Sequence, residues 1–353
     1  KHESSSSAVS HNDPDLVEGA PYYWKVMTWD SNDEPGPYTA EQQFTVASAD
    51  PETTIDALDD TYSSAPEIWG YAMDQTYGGL AAVEMQIKRS SDEYYWNGSE
   101  WVADPTWYDA DTSFDSYYEG WVAASLPVWQ NGETYDLKAR AVDLVGNVHT
   151  SPPEESFTFD TEAPTINLLS PADGSTNGAL IEITWSASDN TPLGANPISL
   201  YYSDDSGATW NLIAENEPND GTYTWDSAAL GDGSTYRVKI RVADQAGYTA
   251  DDASGADFTI DITAPSSACA DIAPFWEASN RSLTATANDT SAGVASVALY
   301  YRHSADNTTW GDWSAFETDT EAPWQWSFDH PAGEGYYEFH TIATDHVSNT
   351  EPG

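Results

Sequence analysis

Apolar and polar residues alternate through much of this chain, most clearly in Tyr135 to Pro164, YDLKARAVDLVGNVHTSPPEESFTFDTEAP. Tyr135, Leu137, Ala139 and Ala141 fall on one face; Asp136, Lys138 and Arg140 fall on the other. Period two predicts a strand with one buried face. Asp143 and Gly146 predict a turn, because a short carboxylate can bond its own backbone and glycine accepts positive φ. Ser156 to Phe159 predicts the returning strand, and Pro164 closes the unit because proline cannot extend a ladder.

The stretch recurs. YRVKIRVADQAGYTADDASGADFTIDITAP fills Tyr236 to Pro265, Tyr22 to Val46 carries an earlier copy, and Tyr337 to Gly353 begins another. The turn aspartates Asp30, Asp143, Asp244 and Asp345 stand 113, 101 and 101 residues apart. A tyrosine precedes each by eight residues (Tyr22, Tyr135, Tyr236, Tyr337), and Phe44, Phe157 and Phe258 follow three of them by fourteen. Repetition at one domain length means tandem domains. The expected division is a remnant over 1–48 that holds last strands only, domains over 49–160 and 161–261, and a domain over 262–353 that lacks its last strand. A remnant of that size cannot bury its own apolar face.

Within these domains the same plan predicts further strands. Val83, Met85 and Ile87 alternate after a turn at Asp74, Gly78 and Gly79. Asn97-Gly98 between aromatics in YYWNGSEW is a hairpin signal. Ile181, Ile183 and Trp185 alternate in the next domain, and ISLYY and VALYY are strands of the last two. No long helical periodicity interrupts them, so the fold class is all-β.

About seven short strands per hundred residues, with an aromatic on the penultimate strand, fits an immunoglobulin-like sandwich. PYYWKVMTWDSND resembles the sixth strand of fibronectin type III repeats in microbial extracellular proteins. DTEAP and DITAP resemble the inter-domain signature of bacterial and archaeal Ig-like repeats. VALYYRHSADNTTWGDW and GEGYYEFHTIATD are similar to Ig-like repeats of large archaeal surface proteins. The resemblance spans nearly the whole chain. It implies tandem immunoglobulin-like (fibronectin type III-like) β-sandwich domains and a location outside the cell, at its surface. It says little about function, since such modules serve as stalks, adhesins, sheaths and enzyme appendages.

Charge sharpens this. There are 59 acidic residues against 11 basic ones, a formal net charge of −48. A nucleic-acid partner is disfavoured, because phosphates need lysine and arginine. Solubility at high salt, cation binding and general solubility of a secreted protein all account for the acidity. The single cysteine, Cys269, rules out a disulfide framework within the chain. No apolar run reaches the length of a membrane helix. The chain opens at Lys1 without a signal peptide or initiating methionine, and reads as a processed product or a window on something longer.

Catalytic motifs (GxSxG, HExxH, a P-loop, GxGxxG) are absent from the sequence, and no enzyme activity is expected. Sequons place candidate glycosylation at Asn97, Asn280, Asn288 and Asn307. Tyr95, Trp96 and Trp101 are the candidates for exposed, sugar-stacking rings, whereas Trp185, Trp225 and Trp326 alternate inward. Lys25, Lys138, Arg140, Arg237, Lys239 and Arg241 form an outward cationic stripe. Two readings are open for it: cross-strand pairing with acids, or a repeated subunit contact.

Sandwich topology brings the entering linker and two loops to one pole. It therefore predicts three aspartate triads: Asp50, Asp74 and Asp143; Asp160, Asp189 and Asp244; Asp261, Asp289 and Asp345. Converging carboxylates repel, and calcium, which takes six to eight oxygens, relieves that repulsion. The competing reading is that each aspartate caps its own turn.

The expected function is a structural extracellular protein that builds a surface layer, sheath or filament, or its stalk. The alternatives are an adhesin or carbohydrate-binding array, and a non-catalytic arm of a larger surface enzyme. Self-association is the expected partnership, with strand complementation between residues 1–46 of one copy and the last domain of the next. Such a contact is heterologous and gives open filaments.

Overall fold

Alternating residues settle into strands throughout. The computed structural model describes residues 17, 20–45, 49–75, 79–114, 118–272 and 280–353, and all twenty-nine elements among them are β-strands. Val46 and Gly78 lie outside the described residues. The chain divides into two units: Lys1–Glu162 with Gln245–Gly247, and Ala163–Asp244 with Tyr248–Gly353.

The first unit opens with two small antiparallel pairs. Pro21–Trp24 runs against Gln42–Thr45, and Met27–Trp29 against Pro35–Tyr38. Their apolar side chains stay largely in solvent, with Trp24, Trp29 and Phe44 at 48, 60 and 45% exposure. A sandwich follows. One sheet orders Trp101–Val102, Tyr95–Trp96, Leu80–Arg89, Glu133–Asp143, Glu154–Phe159 and Thr61–Tyr62, the last pair parallel. The other orders Tyr118–Val122, Trp69–Met73 and Glu52–Thr53. Val83, Met85, Ile87, Leu137, Trp121 and Phe157 meet between them as one core. Burying side chains of this size is worth about 1.5–3 kcal/mol each.

The second unit holds two cores of the same kind. In the first, the sheet of Thr165–Ser170, Leu180–Ser188 and Thr222–Asp226 faces one built on Gly233–Ala243 and Ile198–Ser203. Ile183, Trp185, Trp225, Val238 and Phe258 fill the space between. In the second, Ser266–Cys269, Arg281–Asn288 and Gln325–Phe328 face Ser314–Asp319, Val294–Ser304 and Tyr336–Asp345, over Leu283, Leu299, Trp326 and Phe328. Three strands against a sheet that adds the penultimate strand is the fibronectin type III arrangement of the immunoglobulin-like sandwich.

The repeated tyrosine accounts for the closeness of the copies. Its hydroxyl reaches back five residues to the main chain each time. Tyr22 and Tyr135 accept the Val17 and Gln130 amides at 2.6 and 2.8 Å, and Tyr236 donates to the Gly231 carbonyl at 3.1 Å. Tyr337 accepts the Ala332 amide at 3.2 Å and donates to Gly333 at 2.7 Å. These are tyrosine corners. The phenylalanine twenty-two residues on stands directly across the ladder in three copies: Tyr22 opposite Phe44, Tyr135 opposite Phe157, Tyr236 opposite Phe258.

Candidate metal centre

The turn after the tyrosine strand is built by its aspartate. Asp143 Oδ1 accepts the Val145 and Asn147 amides at 3.0 and 2.7 Å, and Oδ2 accepts Asn147 Nδ2 at 2.8 Å. Asp345 repeats this with Val347 and Asn349 at 2.9 and 2.8 Å, and with Asn349 Nδ2 at 2.8 Å. Asp30 accepts Asn32 and Glu34, and Asp244 accepts Tyr248. Turn capping is thus a property of all four aspartates.

In the second unit one of these turns is also part of a cluster. Asp261 follows the strand Phe258–Ile260 and is fixed by its own amide, which donates to the Asn177 carbonyl at 2.9 Å. Asp289 follows Arg281–Asn288, and Asp345 ends Tyr336–Asp345. One carboxylate oxygen from each of Asp261, Asp289 and Asp345 lies within 4.8 Å of the other two. Asp261 is fully buried and Asp345 is 2% exposed. Burial pushes the Asp261 carboxyl above the usual carboxylate range. The Ala292 and Thr263 amides oppose that shift, and the Asp289 and Asp232 carboxylates add to it. Asn349 Nδ2 donates to the Asp261 carbonyl at 3.0 Å and so ties the turn to the linker. Metal–oxygen distances of 2.3–2.6 Å for calcium permit ligand oxygens about 4.8 Å apart across the ion. The cluster therefore fits that ion in spacing and chemistry.

Asp160 belongs to the first unit, Asp189 and Asp244 to the second. Asp160 caps its linker through the Glu162 amide at 3.1 Å, and Asp189 accepts the Thr191 hydroxyl at 3.0 Å. The triad expected at Asp50, Asp74 and Asp143 does not assemble: these three are not among the carboxylate groups that close to within 4.8 Å. Asp50 is exposed while Asp74 and Asp143 are buried. The reason is register. Asp160 and Asp261 stand four residues before the linker proline, whereas Asp50 directly precedes Pro51. Aligned on the proline, the counterpart of Asp261 is Ala47.

The sugar-stacking assignment is also corrected. Trp96 and Trp101 pack against the first core, and Trp96 Nε1 donates to the Ser125 carbonyl at 2.7 Å. The Arg89 guanidinium covers Trp101, 4.6 Å from the ring centroid. Asn97 turns the hairpin between them, with Oδ1 accepting the Ser99 and Glu100 amides at 3.0 and 2.9 Å. Of the other sequon asparagines, Asn280, Asn288 and Asn307 are exposed.

The cationic stripe is cross-strand pairing. Arg140 reaches Glu84 at 2.6 Å, Arg237 reaches Asp257 at 2.5 Å and Arg241 reaches Asp251 at 2.6 Å; Lys138 contacts Glu154, and Lys25 lies 3.1 Å from Glu41. Lys239 instead sits over Tyr201 and Trp210, 4.9 and 4.8 Å from their centroids. Cation-on-ring packing recurs at Arg140 on Trp107 and Arg302 on Trp313. Sequence reasoning missed it, although a basic residue and a tryptophan recur in each copy. Burial raises the Cys269 thiol pKa, which favours the protonated thiol over the nucleophilic thiolate.

The chain is a tandem array of immunoglobulin-like, fibronectin type III-like β-sandwich modules. The family model described as the Kre9/KNH-like N-terminal Ig-like domain matches residues 170–260. No curated protein matches the chain. Among solved structures, it is similar to the fibronectin(III)-like modules of Clostridium thermocellum CbhA, at 18% identity over 60% of this chain and 94% of that one, TM-score 0.30. It is similar to a tetra-tandem repeat from the extending region of a large adhesion protein, at 15% identity over 97% and 82%, TM-score 0.32. A Ca2+-stabilized adhesin with which an Antarctic bacterium binds ice gives 14% identity over 94% and 79%, TM-score 0.31. No helix among the described residues is long and apolar enough to cross a membrane.

Proposed function

We propose that the chain is a non-catalytic structural array, carried outside the cell as part of a surface layer, sheath or filament, or of the stalk of one. The observation that carries this reading is the fourfold repetition of one corner-and-turn unit, with the buried aspartates spent on turns and linkers. Self-association belongs to the same reading. The exposed Trp24, Trp29 and Phe44 on the first strand pairs are surface that a neighbouring copy would cover. Immunogold electron microscopy of intact cells tests the location: label in an ordered layer or fibre is expected, and label confined to the cytoplasm overturns it. Sedimentation velocity of the chain tests association, with assembly rising with concentration as the expected result.

Calcium is the second part of the proposal. Asp261, Asp289 and Asp345 would hold the ion, with loop carbonyls and water completing its shell. The ion would offset the cost of burying the Asp261 carboxylate, to which the Asp289 charge adds, and would lock linker and loops together. Calorimetric titration of the whole chain with calcium, beside an Asp289→Asn variant, is the test. Heat of binding in the parent that the variant loses is expected. Equal curves for the two leave the aspartates as turn caps.

A further inference from the structure

The outward face of one three-stranded sheet in the first unit is aromatic where the fold does not require it. Trp69 and Tyr71 project from Trp69–Met73, and Tyr118 and Val122 from Tyr118–Val122, with Tyr71 opposite Gly120 and Trp69 opposite Val122. Tyr71, Tyr118 and Val122 are 44, 55 and 48% exposed. The two tyrosine rings are parallel to within 7°, centroids 5.7 Å apart, and Trp69 meets Tyr71 edge-on at 5.8 Å. Gly120 bears no side chain, and its missing Cβ would lie 3.7 Å from Tyr71 Cε1, so the ring extends across the neighbouring strand.

The second unit supplies two internal controls. On the equivalent faces Leu180, Glu182 and Thr184 oppose Asp226, Thr224 and Thr222, and Ser282 and Thr284 oppose Ser327 and Gln325. Leu180 is the one apolar side chain among them, and no aromatic ring stands at any of these positions. Gly120 accounts for Tyr71, because an aromatic ring shields a cross-strand glycine. It does not account for Tyr118, Trp69 or Val122.

We propose that this face is a binding platform for a neutral polysaccharide. Charge excludes the anionic alternatives. The chain carries −48, and neither Trp69–Met73 nor Tyr118–Val122 contains a lysine or arginine; the sandwich's Lys88, Arg89, Lys138 and Arg140 all lie on the other sheet. A pyranose presents an apolar C–H face edged by hydroxyls. Parallel rings with the Tyr71 and Tyr118 hydroxyls match both parts, since tyrosine joins an apolar body to a polar tip.

Native affinity electrophoresis of the full chain is the test, in gels cast with hydroxyethylcellulose or galactomannan and, as the anionic control, polygalacturonate. Retardation by a neutral polymer and none by polygalacturonate is expected. Tyr118→Ser should weaken retardation about tenfold, the loss expected of one stacking contact near 1.4 kcal/mol, while Tyr71→Phe, which keeps the ring, preserves most of it. Tyr118 is exposed, so a melting curve matching the parent separates lost binding from lost fold. The proposal falls if neither neutral polymer retards the parent, or if Tyr118→Ser is retarded as strongly as the parent. It also falls if Tyr118→Ser abolishes self-association of a chain that no glycan retards, since the platform is then a protein contact.

Discussion

His340 lies between two rings, 4.1 Å from the Trp313 centroid and 5.1 Å from Tyr300, with Nε2 buried and without a hydrogen-bond partner. Burial holds its pKa below the ordinary 6.5; Glu351 opposes the shift and Arg302 adds to it. A histidine whose folded pKa is depressed binds fewer protons folded than unfolded, so its stabilisation is complete above about 6.5 and is lost as pH falls through the folded value. His340→Phe should flatten the acid side of the stability curve, read as melting temperature between pH 7 and 5. The tyrosine corners give a second residue-scale expectation. Tyr135→Phe leaves the Gln130 amide without its acceptor and should cost about 1–2 kcal/mol in urea unfolding. Tyr236→Phe loses a donor to the half-buried Gly231 carbonyl and should cost about 1 kcal/mol. At this scale the sequence was informative wherever alternation ran long: Tyr135 and Leu137 are fully buried, and Trp185, Trp225 and Trp326 are core residues. Trp96 and Trp101 were misread because their strands are two residues each, too short for alternation to say which face is covered.

Between elements, the closest approach is at Gly70. A Cβ there would stand 2.0 Å from the Thr54 carbonyl oxygen and 3.0 Å from Trp121 Nε1. Gly70→Ala must therefore part the edge strand Glu52–Thr53 from its neighbour and break the Trp121 Nε1 bond to Thr53 Oγ1. The expected cost is at least about 3 kcal/mol, the upper range for overpacking, measured by urea unfolding with near-ultraviolet dichroism. Strand pairing was legible because tyrosine and phenylalanine keep a fixed separation of twenty-two residues. The aspartate triads were legible only in part. The third converges as topology predicts, but the first fails because Asp50 stands three places from the register of Asp261, a slip that alignment on the linker proline reveals. The aromatic platform left no periodic signal, since Trp69 and Tyr71 read as ordinary members of an alternating strand.

At the scale of the molecule, the carboxylate cluster makes a prediction distinct from any single residue. If Asp261, Asp289 and Asp345 bind calcium, saturation a hundredfold above Kd stabilises the second unit by about 2.7 kcal/mol. Its thermal transition should rise with calcium and fall back in chelator, and Asp289→Asn should abolish the difference. The tandem plan was open to reading because one local grammar repeats. One further consequence follows from the cross-strand ion pairs. At least eight of the eleven cations already have a carboxylate neighbour, so few are left to offset the surplus of negative charge. The chain is a polyelectrolyte most of whose own counter-charges are already paired, and small ions must do the rest. Screening shortens from about 10 Å at 0.1 M salt to about 3 Å at 1 M. Sodium chloride should accordingly raise the melting temperature across that range, making brine the medium in which this fold is most at ease.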